Sequence, residues 1–391
     1  MSEDFKGKLK AYMEGTLSEE EHKEVEKELE KMEIYQSYLD EQLGENKEQQ
    51  NELKDKQKKK IIRKGKWKAR ISNALTALGI LIIVAVLSSI INMIIYTWGE
   101  PDRMRVYNDV IQSTIAVTQP NIQAKSGGSN SGFFFLTNER ELRKRIGDKY
   151  ENVGHFEMKF LYGLPFAPIV ERENYNQGMF FYPPTGESVG DDPDWNRLEH
   201  LSEGTVTEAY LSLDQLYSTG DLLAKFKDKN LEPVWMAADT GVEKREIEEM
   251  GAAPTDPIGF PTMPMWHPED MEVTSRTEKE GPFGVKVGSE TGTYPEFDMY
   301  GSEDLRNENF IQTLEIMAEH ERLANQVYRY SDLELEKRIE YLKENGVQLY
   351  GVVVTGPTKE ILKLKEEDWI ASMSIGEVRL WDWFNVKEQQ E

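Results

Sequence analysis

Hydrophobic positions follow three different rules along this chain. Ala74–Tyr96 (ALTALGILIIVAVLSSIINMIIY) is twenty-three residues without one charge, thirteen of them Leu, Ile or Val. As a helix it spans roughly 34 Å, enough to cross a hydrocarbon core with some tilt. Ahead of it, apolar residues recur at helical spacing. Phe5, Leu9 and either Tyr12 or Met13 predict a helix from about Glu3 to Glu14, stopped at Gly15. Ser18-Glu19-Glu20-Glu21 reads as a capping box, and Val25, Leu29, Met32, Leu39 and Leu43 mark the stripe of the helix it opens, with Ile34 and Tyr35 beside it.

Beyond the span the pattern alternates between helix and strand. Val106, Tyr107, Val110 and Ile111 lie at helical spacing within an otherwise ambiguous stretch. Phe133–Leu136 predicts a short buried strand and Glu139–Lys149 a helix, after a Gly/Ser-rich linker or turn at Ser126–Gly132. A β-α-β pattern occurs twice. It comprises Thr205–Ser212, a helix near Asp221–Lys229 and Pro233–Ala238, and again Val347–Val354, Lys359–Glu366 and strands at Trp369–Met373 and Glu377–Trp383. Helices near Leu305–Tyr328 and Asp332–Glu344 precede the second copy, the latter closed by Gly346. Gly251–Pro268, with five prolines, reads as a long surface loop and a candidate contact surface.

Charge orients the span. Lys54–Arg70 holds ten Lys or Arg against one acid, and acidic residues follow the span at Glu100 and Asp102. Positively charged flanks stay in the cytoplasm, and Trp67 and Trp98 sit where interfacial anchors belong. The expected layout is therefore a cytoplasmic helical segment (1–53), a basic juxtamembrane tether (54–73), a transmembrane helix (74–97), a stalk and linker (98–135) and an extracytoplasmic domain (136–391). Residues 44–60 read as polar tether. The contact of the basic run with the span makes anionic lipid its partner, in place of nucleic acid. The net charge of −24 leaves an acidic exterior, which argues against direct binding of DNA or RNA there.

Cysteine is absent, so neither disulfides nor thiolate metal sites contribute, and the outer domain folds on its core alone. There is no His-Glu-x-x-His and no Gly-x-Ser-x-Gly, and the histidines are scattered. Asp191-Asp192-Pro193-Asp194 lacks the glycine and terminal glutamate of an EF-hand loop. The sequence supplies no catalytic, cofactor-binding or metal-ligating set. A helical segment of about fifty residues is too small to bury two apolar stripes fully by itself: the helices either pack weakly on one another, as a hairpin or a dimer, or fold onto a partner, and Phe5, Leu9, Val25, Leu29, Met32 and Leu39 are the expected partner-binding residues.

The run KKKIIRKGKWKARISNALTALGILI, with YTWGEPDRMRVYNDVIQSTIAVTQPNI after it, resembles the membrane-proximal block of the sigma-factor-regulator family of Gram-positive bacteria. AYLSLDQLYSTGDLLAKFKDKNLEPVWMAADTG resembles that family's C-terminal block. The resemblance implies a single-pass anti-sigma factor that holds an extracytoplasmic-function (ECF) sigma factor at the membrane until an envelope signal releases it. A small membrane protein or a protease would be a further partner. Many anti-sigma domains carry His-x₃-Cys-x₂-Cys on the second helix, whereas here His22 is followed at those spacings by Glu26 and Leu29. Apolar packing must then replace the metal. The fold expected is α+β: a single-pass membrane protein with a small all-α cytoplasmic segment and a mixed α/β extracytoplasmic domain. The expected function is regulatory and not enzymatic. The alternatives are a membrane-anchored extracytoplasmic enzyme and an envelope structural protein.

Overall fold

A computed structural model describes residues 3–125, 127–132, 134–172, 181–184, 193–243, 245, 257–280 and 286–381. The chain divides into two compact units, Met1–Val84 and Ala85–Glu391. Asp191 and Asp192 of the acidic cluster, and Phe133 and Trp383 of the expected strands, lie outside the described residues.

The first unit is helical. Helix α1 spans Glu3–Glu14 and ends where Gly15 takes a φ of 71°, a left-handed cap that glycine adopts without steric cost. Helix α2 begins at Glu19 and continues to Thr97. At its start the Ser18 hydroxyl and N–H both donate to one Glu21 oxygen, at 2.7 and 3.2 Å. These bonds hold the Glu21 carboxyl below the usual carboxylate range. This is one half of the expected box, with the serine donating where it was expected to accept. The polar stretch 44–60, expected as a tether, is helical. Its Gln, Glu and Lys are good helix formers and it holds no proline, so nothing local interrupts the helix.

In the second unit, Asp102 caps helix α3 (Arg103–Thr118) by accepting from the Arg105 N–H at 2.9 Å. The α3 side chains Val110, Ile111, Ile115 and Val117 are buried. A six-stranded antiparallel sheet follows, built from β1 (Ile122–Ala124), β2 (Ser129–Ser131), β3 (Phe135–Ile146), β4 (Lys149–Leu161), β5 (Leu164–Pro165) and β6 (Ile169–Arg172). Strand β2 falls inside the expected linker. Strand β3 replaces the helix expected at Glu139–Lys149. Leu142 and Ile146 are four residues apart, as on a helix face, but the buried set is Leu136, Asn138, Arg140, Leu142, Lys144 and Ile146, which has the period of a strand.

The rest of the unit comprises α4 (Pro193–Glu199), β7 (Thr205–Ser218), α5 (Thr219–Ala224), β8 (Glu232–Asp239) and β9 (Gly259–Pro261). Then come a hairpin, β10 (Glu272–Glu280) and β11 (Lys286–Thr293), and three helices, α6 (Asp304–Glu319), α7 (Glu321–Tyr328) and α8 (Leu335–Asn345). The described residues close with β12 (Gln348–Pro357), α9 (Thr358–Lys363) and β13 (Ile370–Leu380). The sheet order is β13-β7-β12-β8-β9, with every neighbouring pair antiparallel. The two β-α-β copies therefore interleave, each placing a strand between the two of the other, as in the split β-α-β arrangement. Both faces are covered, which explains apolar runs such as Val234–Ala238 in place of alternation.

Two further expectations change. The second half of Gly251–Pro268 is not surface loop: Ile258 and Phe260 are buried, and β9 pairs with β8. Pro261 is tolerated because β9 is an edge strand. The single helix expected over Leu305–Tyr328 breaks at His320 into α6 and α7.

One buried ion pair ties the two sheets together. Lys144 on β3 meets Glu208 on β7 at 2.7 Å, with side chains 3% and 0% exposed. The carboxylate also accepts from Asn121 at 2.7 Å, the Tyr210 hydroxyl at 3.2 Å and the Glu377 N–H at 3.2 Å. A buried charge survives only when so satisfied. Glu208→Ala, leaving buried Lys144 with only the Glu377 carboxylate at 4.0 Å, should cost about 3–5 kcal/mol in denaturant unfolding of the full chain in detergent. The double variant Lys144→Met/Glu208→Met should recover the part due to the uncompensated lysine and keep the part due to Asn121, Tyr210 and Glu377 losing this acceptor.

Candidate partner-binding surface

The expected partner-binding residues separate by exposure. Val25 is 1% exposed, whereas Phe5, Leu9 and Leu29 are half-buried. Val25 cannot be buried by its own helix, so α1 must cover it. Contacts on either side support this: Lys8 pairs with Glu24 at 3.2 Å, the Tyr12 hydroxyl donates to Glu26 at 3.4 Å, and the Tyr12 and His22 rings lie 4.4 Å apart. His22 is thereby occupied in an aromatic contact. Met32 and Leu39 face solvent, at 39% and 40% exposed. Leu43 lies outside the residues whose side chains are described.

The exposed set is larger than the sequence reading made it. Ile34, Tyr35 and Tyr38 are 66%, 65% and 58% exposed. Met32, Tyr35, Tyr38 and Leu39 stand three or four residues apart, so they share one stripe of α2. Tyr38 was legible from that spacing and was missed. The surrounding positions are Glu, Lys, Gln and Asp. Such a stripe, with tyrosines on a polar helix, has the composition of a partner-binding surface.

The second unit holds an acid–imidazole–hydroxyl chain. His267 Nδ1 lies 2.9 Å from each Asp109 oxygen, and Nε2 lies 2.8 Å from Thr313 Oγ1. This acid–imidazole–hydroxyl chain spans distant parts of the sequence, so no local motif announces it. The Thr313 hydroxyl donates to the Asn309 carbonyl at 2.7 Å, and Thr313 and His267 are 0% and 1% exposed. A hydroxyl whose proton is committed to the helix backbone and which no substrate reaches is not a nucleophile. The chain instead ties α3 to α6.

A cavity of about 290 Å³ opens beside Asp148, Lys229, Glu232, Tyr300 and Trp381. Its charged groups serve the fold: Lys229 pairs with Glu367 and Glu232 with Arg145, each at 2.5 Å. Burial pushes the Glu232 carboxyl up, against the opposing pull of Arg145. Among the described residues no group of three or more His, Asp or Glu side chains is placed to hold a metal ion. Within Asp55–Thr97 the helix is long and apolar enough to cross a membrane.

A helical N-terminal segment, one membrane-spanning candidate and a mixed α/β domain define a protein built around a single long apolar helix. Two family models match: the sigma factor regulator N-terminal model over residues 59–150 and the sigma factor regulator C-terminal model over residues 198–377. Between them they take in most of the chain, which belongs to the sigma factor regulator family. The probable anti-sigma-M factor YhdL of Bacillus subtilis (strain 168) is 29% identical over 390 residues, 98% of this chain and 100% of the relative. No solved structure matches. Family and relative support an anti-sigma role, which is regulatory and not enzymatic.

The division between buried Val25 and exposed Leu39 is testable in a peptide of residues 1–60. Val25→Ala should lower unfolding stability, followed by circular dichroism, by about 1–3 kcal/mol. Leu39→Ala should change it by less than about 0.5 kcal/mol.

Proposed function

We propose that this protein is a membrane-held anti-sigma factor, with an N-terminal helical segment in the cytoplasm that captures an ECF-type sigma factor. The observation that carries the reading is the exposed stripe of Met32, Tyr35, Tyr38 and Leu39 on the N-terminal part of α2. It lies on the same side of the span as the basic flank Lys54–Arg70, the side expected to face the cytoplasm. In this reading Phe5, Leu9, Val25 and Leu29 set the shape of the α1–α2 pair, and Met32 and Leu39, with both tyrosines, enter the sigma factor. Capture by a membrane-bound chain lowers the free sigma concentration by mass action. The extracytoplasmic domain receives an envelope signal, and release proceeds through a protease or a small membrane protein acting near the span.

Capture in this proposal needs no metal. His22→Ala and chelators should leave it unchanged. Tyr35→Asp and Leu39→Asp should each weaken binding of a coexpressed ECF sigma factor by roughly 10- to 100-fold, because a carboxylate is buried unpaired in the interface. Co-purification and titration calorimetry with residues 1–60 read the effect. Unchanged affinity in both aspartate variants would remove the stripe from the interface.

A further inference from the structure

Residues 85–96 of α2 are covered on one face. Ala85, Ser88, Asn92 and Tyr96 recur every three or four residues and are 7%, 3%, 0% and 2% exposed. What meets this face is the β4–β5 hairpin. The Tyr162 and Ser88 hydroxyls share a hydrogen bond of 2.6 Å, and the Gly163 N–H donates to the Tyr96 hydroxyl at 2.9 Å. From the other side the Tyr107 hydroxyl of α3 donates to the Gly163 carbonyl at 3.2 Å. Leu161 pairs with Leu164 across a two-residue turn, Tyr162-Gly163, with φ of 49° and 87°. Both values are positive, as a type I′ hairpin requires. The tip is therefore fixed in place.

Its height along the span follows from helix geometry. Ser88 precedes Tyr96, the last residue of the uncharged run, by eight residues, or about 12 Å of helix. The Tyr162 hydroxyl thus stands well inside the uncharged end of the span. The surface around it suits that level. Phe160–Val170 (FLYGLPFAPIV) is eleven residues without a charge in a chain that is 30% charged, and its first flanking charges are Lys159 and Glu171. Leu164, Phe166 and Ile169 are 53%, 46% and 53% exposed. Phe134 and Phe135, each 40% exposed, extend the patch, the ring of Phe135 lying edge-on to Phe166 at 5.9 Å. An apolar, aromatic-rich surface of this kind on an acidic domain has a binding function, and its bond to the span decides the occupant.

We propose that the β4–β5 hairpin and the adjoining start of β3 insert into the lipid of the leaflet next to the domain, anchoring the domain at a second point beside the span. The partner is the acyl-chain and carbonyl layer, with Tyr162, Phe135 and Phe166 as the interfacial aromatics. The inference rests on the reading of Ala74–Tyr96 as a membrane span.

The absence of cysteine makes the test clean. Single variants Leu164→Cys and Phe166→Cys of the full chain, carrying a polarity-sensitive fluorophore, are reconstituted in phosphatidylcholine vesicles at low protein-to-lipid ratio. Val86→Cys marks the span, and Leu380→Cys marks an exposed apolar residue on β13, at the opposite edge of the five-stranded sheet from β9. Bromine on the acyl chains should quench the probes at 164, 166 and 86 and leave that at 380 unaffected. Iodide should quench those at 164 and 166 roughly tenfold less than that at 380, since a free ion enters hydrocarbon poorly. Equal iodide quenching at 164, 166 and 380, without bromolipid quenching at the hairpin, overturns the proposal. Shielding of the hairpin from both quenchers also overturns it, because a second copy of the chain then covers the patch. Bromolipid quenching at 86 alone rejects the hairpin anchor and leaves the span intact, whereas its failure at 86 rejects the span itself.

Discussion

The hydrocarbon layer admits a backbone only if every N–H and C=O is bonded within the segment, and that constraint governs this chain. Ala74–Tyr96 meets it as part of a single helix, and its Leu, Ile and Val side chains are exposed over much of their surface, as lipid contact requires. The charge pattern then follows as acidic, basic, apolar and acidic. The basic block directly precedes the span, the position in which anionic headgroups would stabilise it. The acidic N-terminal stretch runs directly into the basic block, and the span separates that block from the acidic stretch that follows.

The second unit meets a different constraint. Without disulfides, a domain that leads directly from a membrane helix holds its parts together through buried polar networks. Glu208 receives four donors from four different segments, Lys144, Asn121, Tyr210 and Glu377. Gly376 is needed beside it, since a Cβ there would lie 2.2 Å from the carboxylate. His267 does the same between α3 and α6 through Asp109 and Thr313. The first network joins the two sheets, and the second joins α3 to α6. Such networks specify a unique arrangement when every member is satisfied.

Much of this was legible in the sequence because it depends on local rules. The span, both helix starts, the Gly15 and Gly346 stops and the repeated β-α-β pattern all follow from periodicity and capping. The failures share one cause. Strand β3 was read as a helix because Arg140 and Lys144 count as surface residues until their distant partners are known. Gly251–Pro268 was read as surface because its prolines hide the Ile258–Phe260 run that pairs with β8. Of the candidate partner-binding residues, Val25 and Leu39 look alike in the stripe and differ only in what α1 covers. The uncharged run Phe160–Val170 was equally visible, but its meaning depends on the Ser88–Tyr162 bond across 74 positions.

The proposed function requires the stripe of Met32 to Leu39 and the interleaved sheet to lie on opposite sides of a membrane, with the stripe inside. Single cysteines placed at Glu33 and at Asp221 of the full chain, in intact cells, test this with a membrane-impermeant thiol reagent. That topology gives labelling at 221 in intact cells and at 33 only after permeabilisation. Labelling at 33 with protection at 221 would contradict it, as would equal labelling of both before the membrane is opened.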